Sequence, residues 1–200
     1  MNSRMIIRLN ADPAQLEGLA RLQALFAKAC NQLGPIVRDT RCWNRVALHH
    51  LTYRKLRDSF PELGAQMVCN AIYSVCRSAR LIYQMPASPW CITKNPEAAL
   101  PLLQFAASAP VYFDRHTLNI RQGKLSMFTL DGRMRFELGL APVDETRFMD
   151  EKLKEVLLTR DEQGFFLAFS FGDQPELKNQ SVEFPEYLIV VDSEPKVRVA

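Results

Sequence analysis

One short strand-like run stands far from all the other strand-like runs in this 200-residue chain. Apolar and polar side chains alternate over Arg4–Asn10, and from Val111 onward alternation returns, whereas the intervening residues follow a helical period. Because an isolated strand leaves its backbone unpaired, the first strand needs partners from the second half. The sequence therefore predicts an α+β protein, a small antiparallel β-barrel or curled sheet with a helical bundle inserted after its first strand.

This order of elements predicts three segments. Residues 1–10 are expected to form the first strand of the barrel, residues 11–95 the inserted helical bundle, and residues 96–200 the remainder of the barrel. The three segments need not fold separately, because the first and third would share one sheet.

The inserted bundle is expected to hold three helices. The first begins with a capping box at Asp12–Gln15 and is expected to end at the breaker Gly34–Pro35. The second is expected over Asn44–Ser59 and the third over residues 65–84. A connector rich in Pro, Ala and Ser follows, with room for a short helix.

Two hairpins are expected in the second half. Asp131–Gly132 lies between two alternating runs, which is a strong hairpin pattern because both turn positions need a positive φ. A second turn is expected near Asp161–Gly164. The run "YLIVVD" supplies a last strand.

Charge is unevenly distributed along the chain. Residues 1–95 hold 13 Lys and Arg against 5 Asp and Glu, whereas residues 96–200 hold 12 against 17. A basic half of this kind indicates contact with nucleic acid or with an acidic protein partner.

One side of the third helix carries no acid, whereas a solvated helix side usually mixes both signs. Arginines there suit phosphates, amides suit base edges, and a tyrosine suits stacking on an unpaired base. The candidates on this helix are Gln66, Asn70, Tyr73, Arg77 and Arg80. The candidates that precede it are Arg38, Arg41, Arg45, Tyr53, Arg54, Lys55 and Arg57. The alternative is that these arginines solvate their helices and pair with acids of the second half.

Other classes of protein have little support in the sequence. No apolar run approaches the roughly 18 residues that a membrane helix needs, and a cytoplasmic protein is expected. The five cysteines contain no C-x-x-C pair, and the neighbours His49 and His50 point to different sides of one helix. Nucleophile elbows, P-loops and dinucleotide turns are absent from the sequence, so neither an enzyme nor a cofactor or metal site is expected.

Three segments of the chain are similar to a known family. They are "LNADPAQLEGLARLQALFAKACN", "LRDSFPELGAQMVCNAIYSVCRSAR" and "DRHTLNIRQGKLSMFTLDGRMRFEL". In their order and residues they resemble the N-terminal half of TnpB proteins. Those are RNA-guided nucleases of insertion sequences, ancestral to the type V CRISPR effectors. The resemblance implies that the strands form a wedge domain of oligonucleotide-binding type and that the helical insertion is a recognition lobe. It further implies that both bind guide RNA, the guide-target heteroduplex and the short DNA motif beside the target.

The nuclease half of that family is a RuvC-like domain that begins on a strand ending Val/Ile-Asp-Leu-Gly. Asp192 in "YLIVVDSEP" has a comparable place, but the glycine is missing and eight residues follow. One Asp cannot hold the two metal ions, about 4 Å apart, that such cleavage needs. The family's zinc-ribbon cysteines are also missing. The chain is therefore expected to bind RNA, DNA or both without nuclease activity, beside a larger nuclease subunit or a second copy of itself.

A function of a different class stays open. The basic helices could dock a larger protein partner or a second copy of the chain, which would make the protein an interaction module. Binding that weakens steeply with salt would favour nucleic acid, and a dimer that ignores nucleic acid would favour the module.

Overall fold

The computed structural model describes residues 3–172 and 184–191, which form an α+β protein with antiparallel sheets. In chain order its elements are β1 Ser3–Arg8, α1 Pro13–Thr40, α2 Arg45–Ser59, α3 Ala65–Tyr83, β2 Leu102–Phe105, β3 Val111–Phe113, β4 Leu118–Arg121, β5 Lys124–Thr129, β6 Gly132–Glu137, α4 Pro142–Asp150, β7 Leu153–Asp161, β8 Gly164–Phe171 and β9 Leu188–Val191.

The first strand pairs with a strand of the second half, as its isolation in the sequence predicts. β1 runs antiparallel to β8, from Ser3 opposite Phe171 to Arg8 opposite Phe166. The order of this sheet is β1-β8-β7-β3, and β2-β9 and β4-β5-β6 form two further sheets. Among the described residues none of the three sheets closes, so the barrel expected from the sequence is not supported.

The capping box predicted at the start of α1 is confirmed. The Asp12 carboxylate accepts a hydrogen bond from the backbone N–H of Gln15 at 2.8 Å, and Gln15 Oε1 accepts one from the Asp12 N–H at 3.0 Å. The end predicted at Gly34–Pro35 is wrong, because α1 continues to Thr40. Gly34 is instead the place where β2 crosses the helix, since a Cβ there would clash with the Leu103 carbonyl.

The other two helices of the bundle lie within about two residues of their predicted bounds. The connector after α3 forms turns and no helix as far as β2. From the sequence, the acid pairs Asp144–Glu145 and Asp150–Glu151 indicate a solvated linker, but residues 142–150 form α4 instead. Asp144 and Glu145 fall in its first turn, where the helix dipole stabilises negative charge.

Helices and sheets share one hydrophobic core. It contains Phe26 of α1, Val75 of α3, Phe113 of β3 and Phe169 of β8, all of which are about 1% exposed or less. The division into residues 1–10, 11–95 and 96–200 stays a prediction, and the core includes buried residues from all three ranges. Within the described ranges, no helix combines the length and apolarity needed to cross a membrane.

Candidate nucleic-acid interface

The acid-free side of α3 faces carboxylates of the protein itself. Gln66 donates from Nε2 to Asp114 at 2.7 Å, and Arg77 forms an ion pair with Glu155. Asp114 follows β3 and Glu155 lies in β7, so both acids come from the second half of the chain. For these two residues, the anionic partner expected from the sequence is therefore internal.

The solvent-facing position expected for Asn70 is wrong, because the side chain is fully buried. Its Nδ2 donates to the Tyr112 carbonyl at 3.1 Å and to the Thr117 hydroxyl at 3.3 Å. Its Oδ1 has no hydrogen-bond partner among the described residues. Asn70 thus connects α3 to β3 and to the turn after it, and in this position it reaches no base edge.

Two tyrosines pack together between α3 and β3. The ring centroids of Tyr73 and Tyr112 lie 4.4 Å apart. Burial, helped by the nearby Tyr73, Glu155 and Asp114, raises the pKa of Tyr112 to about 12. The phenol of Tyr112 is therefore neutral near pH 7 and keeps its proton as a hydrogen-bond donor.

Three of the predicted cations have hydrogen-bond or ion-pair partners inside the protein. Arg41 donates to the carbonyls of Pro96 and Ala98 and so fixes the connector against the end of α1. Arg57 donates to the Leu63 carbonyl in the turn between α2 and α3. Arg38 pairs with its neighbour Asp39 at 2.8 Å.

Four other predicted cations are exposed. The guanidinium of Arg45, at the start of α2, lies 5.2 Å from the Tyr73 ring centroid. The other three, which make no ion pair within the described part of the chain, are Arg54, Lys55 and Arg80. Tyr53 is half-buried and stacks on His49 at 4.6 Å, so one face of its ring is already covered. The structure thus divides the sequence-predicted set into anchored and accessible side chains.

A cleft of about 480 Å³ opens beside Arg45, between the start of α2, α3, the turn after β3 and strand β7. Arg45, Arg115 and Lys154 line it together with the carboxylates of Asp114 and Glu155. Tyr112 and His116 add aromatic surface. The cleft therefore combines cations with rings, which is the composition of sites for unpaired nucleotides.

Both carboxylates of the cleft already have partners inside the protein. Asp114 accepts hydrogen bonds from Gln66, from the backbone N–H groups of His116 and Thr117, and from the Thr117 hydroxyl at 2.9 Å. Glu155, whose side chain is 11% exposed, is paired with Arg77. Each acid is thus held by several donors or by a cation, which reduces its repulsion of an incoming anion.

Arg115 and Lys154 belong to the cleft but were not among the residues predicted from the sequence. Both lie in the half of the chain in which acids outnumber bases. They approach Arg45 because β3 pairs with β7, with Val111 opposite Leu158. No local pattern marks that pairing, because it joins strands about 45 residues apart.

In comparisons with known proteins, neither a family model nor a curated protein matched this chain. The resemblance to TnpB proteins stays a prediction from the sequence. Asp192, which that resemblance compares with the family's first nuclease carboxylate, lies outside the described residues.

Proposed function

We propose that this protein binds nucleic acid, as the RNA- and DNA-binding half of a TnpB-type protein does, and that it has no nuclease activity of its own. Support comes from the basic first half and from the order of the three resembling segments. The observation that carries the proposal is the cleft: its acids are engaged inside the protein, whereas Arg45 and Arg115 are exposed at its lining.

In this proposal the cleft holds the backbone of one nucleic-acid strand. Arg45 and Arg115 approach it from α2 and from the turn after β3, so a phosphate between them would be bound from two sides. Tyr112 offers a neutral phenol and a ring beside them. Exposed Arg54, Lys55 and Arg80 extend the positive potential over the helical half. Phosphate contacts of this kind fix position and carry no sequence preference.

Fluorescence anisotropy with labelled single-stranded RNA, single-stranded DNA and duplex DNA tests the proposal. We expect binding at about 50 mM salt that weakens steeply towards about 200 mM. Arg45→Ala with Arg115→Ala should weaken binding to all sequences alike. With the single-stranded ligands it should reduce the slope of log K against log salt by about 1.4, because two phosphate contacts are lost.

The matched control removes the same charge elsewhere. Arg4 and Lys28 are exposed, and neither lines the cleft. Arg4→Ala with Lys28→Ala should therefore leave most of the affinity and the slope intact. An equal loss in both double variants would mean that only net charge matters. Failure of all three ligands to bind at low salt would overturn the proposal.

A second candidate function, docking of a protein partner or of a second copy, is favoured by the outer side of α2. Val46 is 65% exposed and Leu51 is 59% exposed, beside the cations Arg54 and Lys55. Size-exclusion chromatography with light scattering separates the candidates. A dimer that is lost with Leu51→Ser and unaffected by nucleic acid would favour docking.

A further inference from the structure

The sheet β4-β5-β6 presents one side to solvent because α1 covers the other. Leu125 and Met127 point inward and are fully buried, as is nearly all of Phe136. Gln15 of α1 donates from Nε2 to the Arg135 carbonyl at 3.2 Å. Since side chains alternate along a strand, the residues between these buried ones form the outer side.

The outer side is basic although it lies in the acidic half of the chain. Strand register places Arg121 opposite Lys124, Ser126 opposite Arg135, and Phe128 opposite Arg133. We call these six residues the basic sheet face. Glu137 is the acid on this side of the three strands; it lies opposite Lys124, 3.8 Å away, and both side chains are more than 70% exposed. An ion pair so exposed is weak.

Two like charges face each other at one end of the basic sheet face. Arg121 and Lys124 flank the two-residue turn Gln122–Gly123, in which both residues have positive φ. Such a turn fixes the register and keeps the two cations opposite each other. Like charges in directly opposed positions destabilise a strand pair, and a bound anion relieves that repulsion.

The other end of the face carries an aromatic platform. Phe128 is 38% exposed, and the Arg133 guanidinium lies 4.1 Å from its ring centroid. Arg133 also donates to the Ser126 hydroxyl at 3.2 Å, which fixes the guanidinium plane. A planar cation held on an aromatic ring is a surface on which an unpaired base can stack.

We propose that the basic sheet face binds single-stranded nucleic acid, with phosphates on Arg121, Lys124 and Arg135 and one base stacked on the pair of Phe128 and Arg133. A single strand fits better than a duplex, because a stacking platform is usable only by a base that is not already stacked within a helix. The face shares no residue with the cleft. It adds a second contact to the proposed function, and either contact can fail without the other.

Anisotropy with labelled oligo(dT) and oligo(U) of about 12 nucleotides tests the basic sheet face. Phe128→Ala should weaken binding about 5- to 100-fold and leave the salt slope unchanged, because it removes stacking and no charge. Phe128→Trp should retain the affinity. Arg121→Ala with Arg135→Ala should weaken binding and reduce the slope by about 1.4, which is the single-strand value for two phosphates.

Three controls distinguish stacking on the basic sheet face from a general loss of charge, from misfolding and from an effect at the cleft. The Arg4→Ala and Lys28→Ala double variant should bind as the unchanged protein does, and thermal melting followed by circular dichroism should show that each variant is folded. The effect of Phe128→Ala should persist in the Arg45→Ala and Arg115→Ala background, so loss at the cleft alone leaves this proposal standing. Folded Phe128→Ala that binds oligo(dT) normally would overturn it. So would polyglutamate that competes with oligo(dT) at equal charge in the Arg45→Ala and Arg115→Ala background, because the face would then recognise any polyanion.

Discussion

Asn70 is a single buried amide that joins two parts of the molecule. Its two N–H groups serve the Tyr112 carbonyl and the Thr117 hydroxyl, and the same hydroxyl donates to the Asp114 carboxylate. Asp114 in turn lines the cleft. The position of that carboxylate therefore depends on an amide that solvent does not reach.

Replacing Asn70 by Ala should lower the free energy of unfolding by about 1–3 kcal/mol, because the partly buried Tyr112 carbonyl loses a donor. Urea denaturation measures the change. Asn70→Asp should cost more at pH 7, since a buried carboxylate is charged and cannot donate. Burial raises the pKa of such an acid, so the penalty should shrink as the pH falls and the neutral form regains an O–H donor.

Gln84→Ala is the matched control, because Gln84 is exposed at the end of α3, and it should change stability by less than about 0.5 kcal/mol. If Asn70→Ala left stability unchanged and altered the base preference of nucleic-acid binding, the structural role would be contradicted. Asn70 would then be a residue that contacts a base.

At the scale of elements, the crossing of α1 and β2 fixes how the helical half meets the strands. Gly34 brings the two backbones close together. One turn earlier, Asn31 donates to the Phe105 carbonyl at 2.9 Å and accepts from the Phe105 N–H at 2.6 Å. The Asn31 side chain thus pairs with the backbone groups of Phe105 that β9 leaves free.

Gly34→Ala should therefore destabilise the protein by about 1–3 kcal/mol, because the added methyl meets the backbone of β2, which cannot rotate away. Thermal unfolding gives the measurement. Gly139→Ala is the control, since nothing lies within 4 Å of a Cβ there, and it should leave stability unchanged or slightly raised. Equal melting temperatures for the two variants would show that β2 yields at the crossing.

Local patterns predicted the elements well where the deciding interactions are local. The capping box at Asp12 and the hairpin at Asp131–Gly132 depend on neighbours in the chain, and both are found. The turn itself is shifted by one residue from the prediction, because Leu130 and Asp131 connect the strands and Gly132, at φ 101°, begins β6. Gly34 was predicted to end the helix because glycine is a common helix breaker. The requirement for glycine there comes instead from β2, whose contacting residue lies about 70 positions later in the chain. The candidate site divides in the same way: the exposure of Arg54 follows from its helix, whereas the internal partners of Gln66 and Arg77 follow from tertiary packing.

At the scale of the whole molecule, the shared core makes the helices and the sheets depend on each other. Leu22 and Leu33 of α1 and Ala71 of α3 are fully buried in the same core as Leu158 and Phe171 of the large sheet. Neither layer therefore keeps a complete core without the other.

We expect one cooperative unfolding transition in urea. Trp43 is 7% exposed and packs 5.2 Å from Tyr83, so it monitors the helical half. With Trp90→Phe as background, Trp43 fluorescence and far-ultraviolet circular dichroism should give coincident midpoints. Two separate midpoints would show that the helical half and the strands unfold independently.

The pairing of β1 with β8 also has a consequence during synthesis on the ribosome. β1 emerges first, yet its partner follows only about 160 residues later, which at bacterial or eukaryotic elongation rates is a delay of roughly 10–30 s. The three helices have time to form in that interval, whereas the nascent β1 keeps an unpaired backbone and apolar side chains such as Met5 and Ile7. β1 can therefore pair only after β8 has emerged, and until then its unpaired backbone and apolar side chains are available for a chaperone to hold.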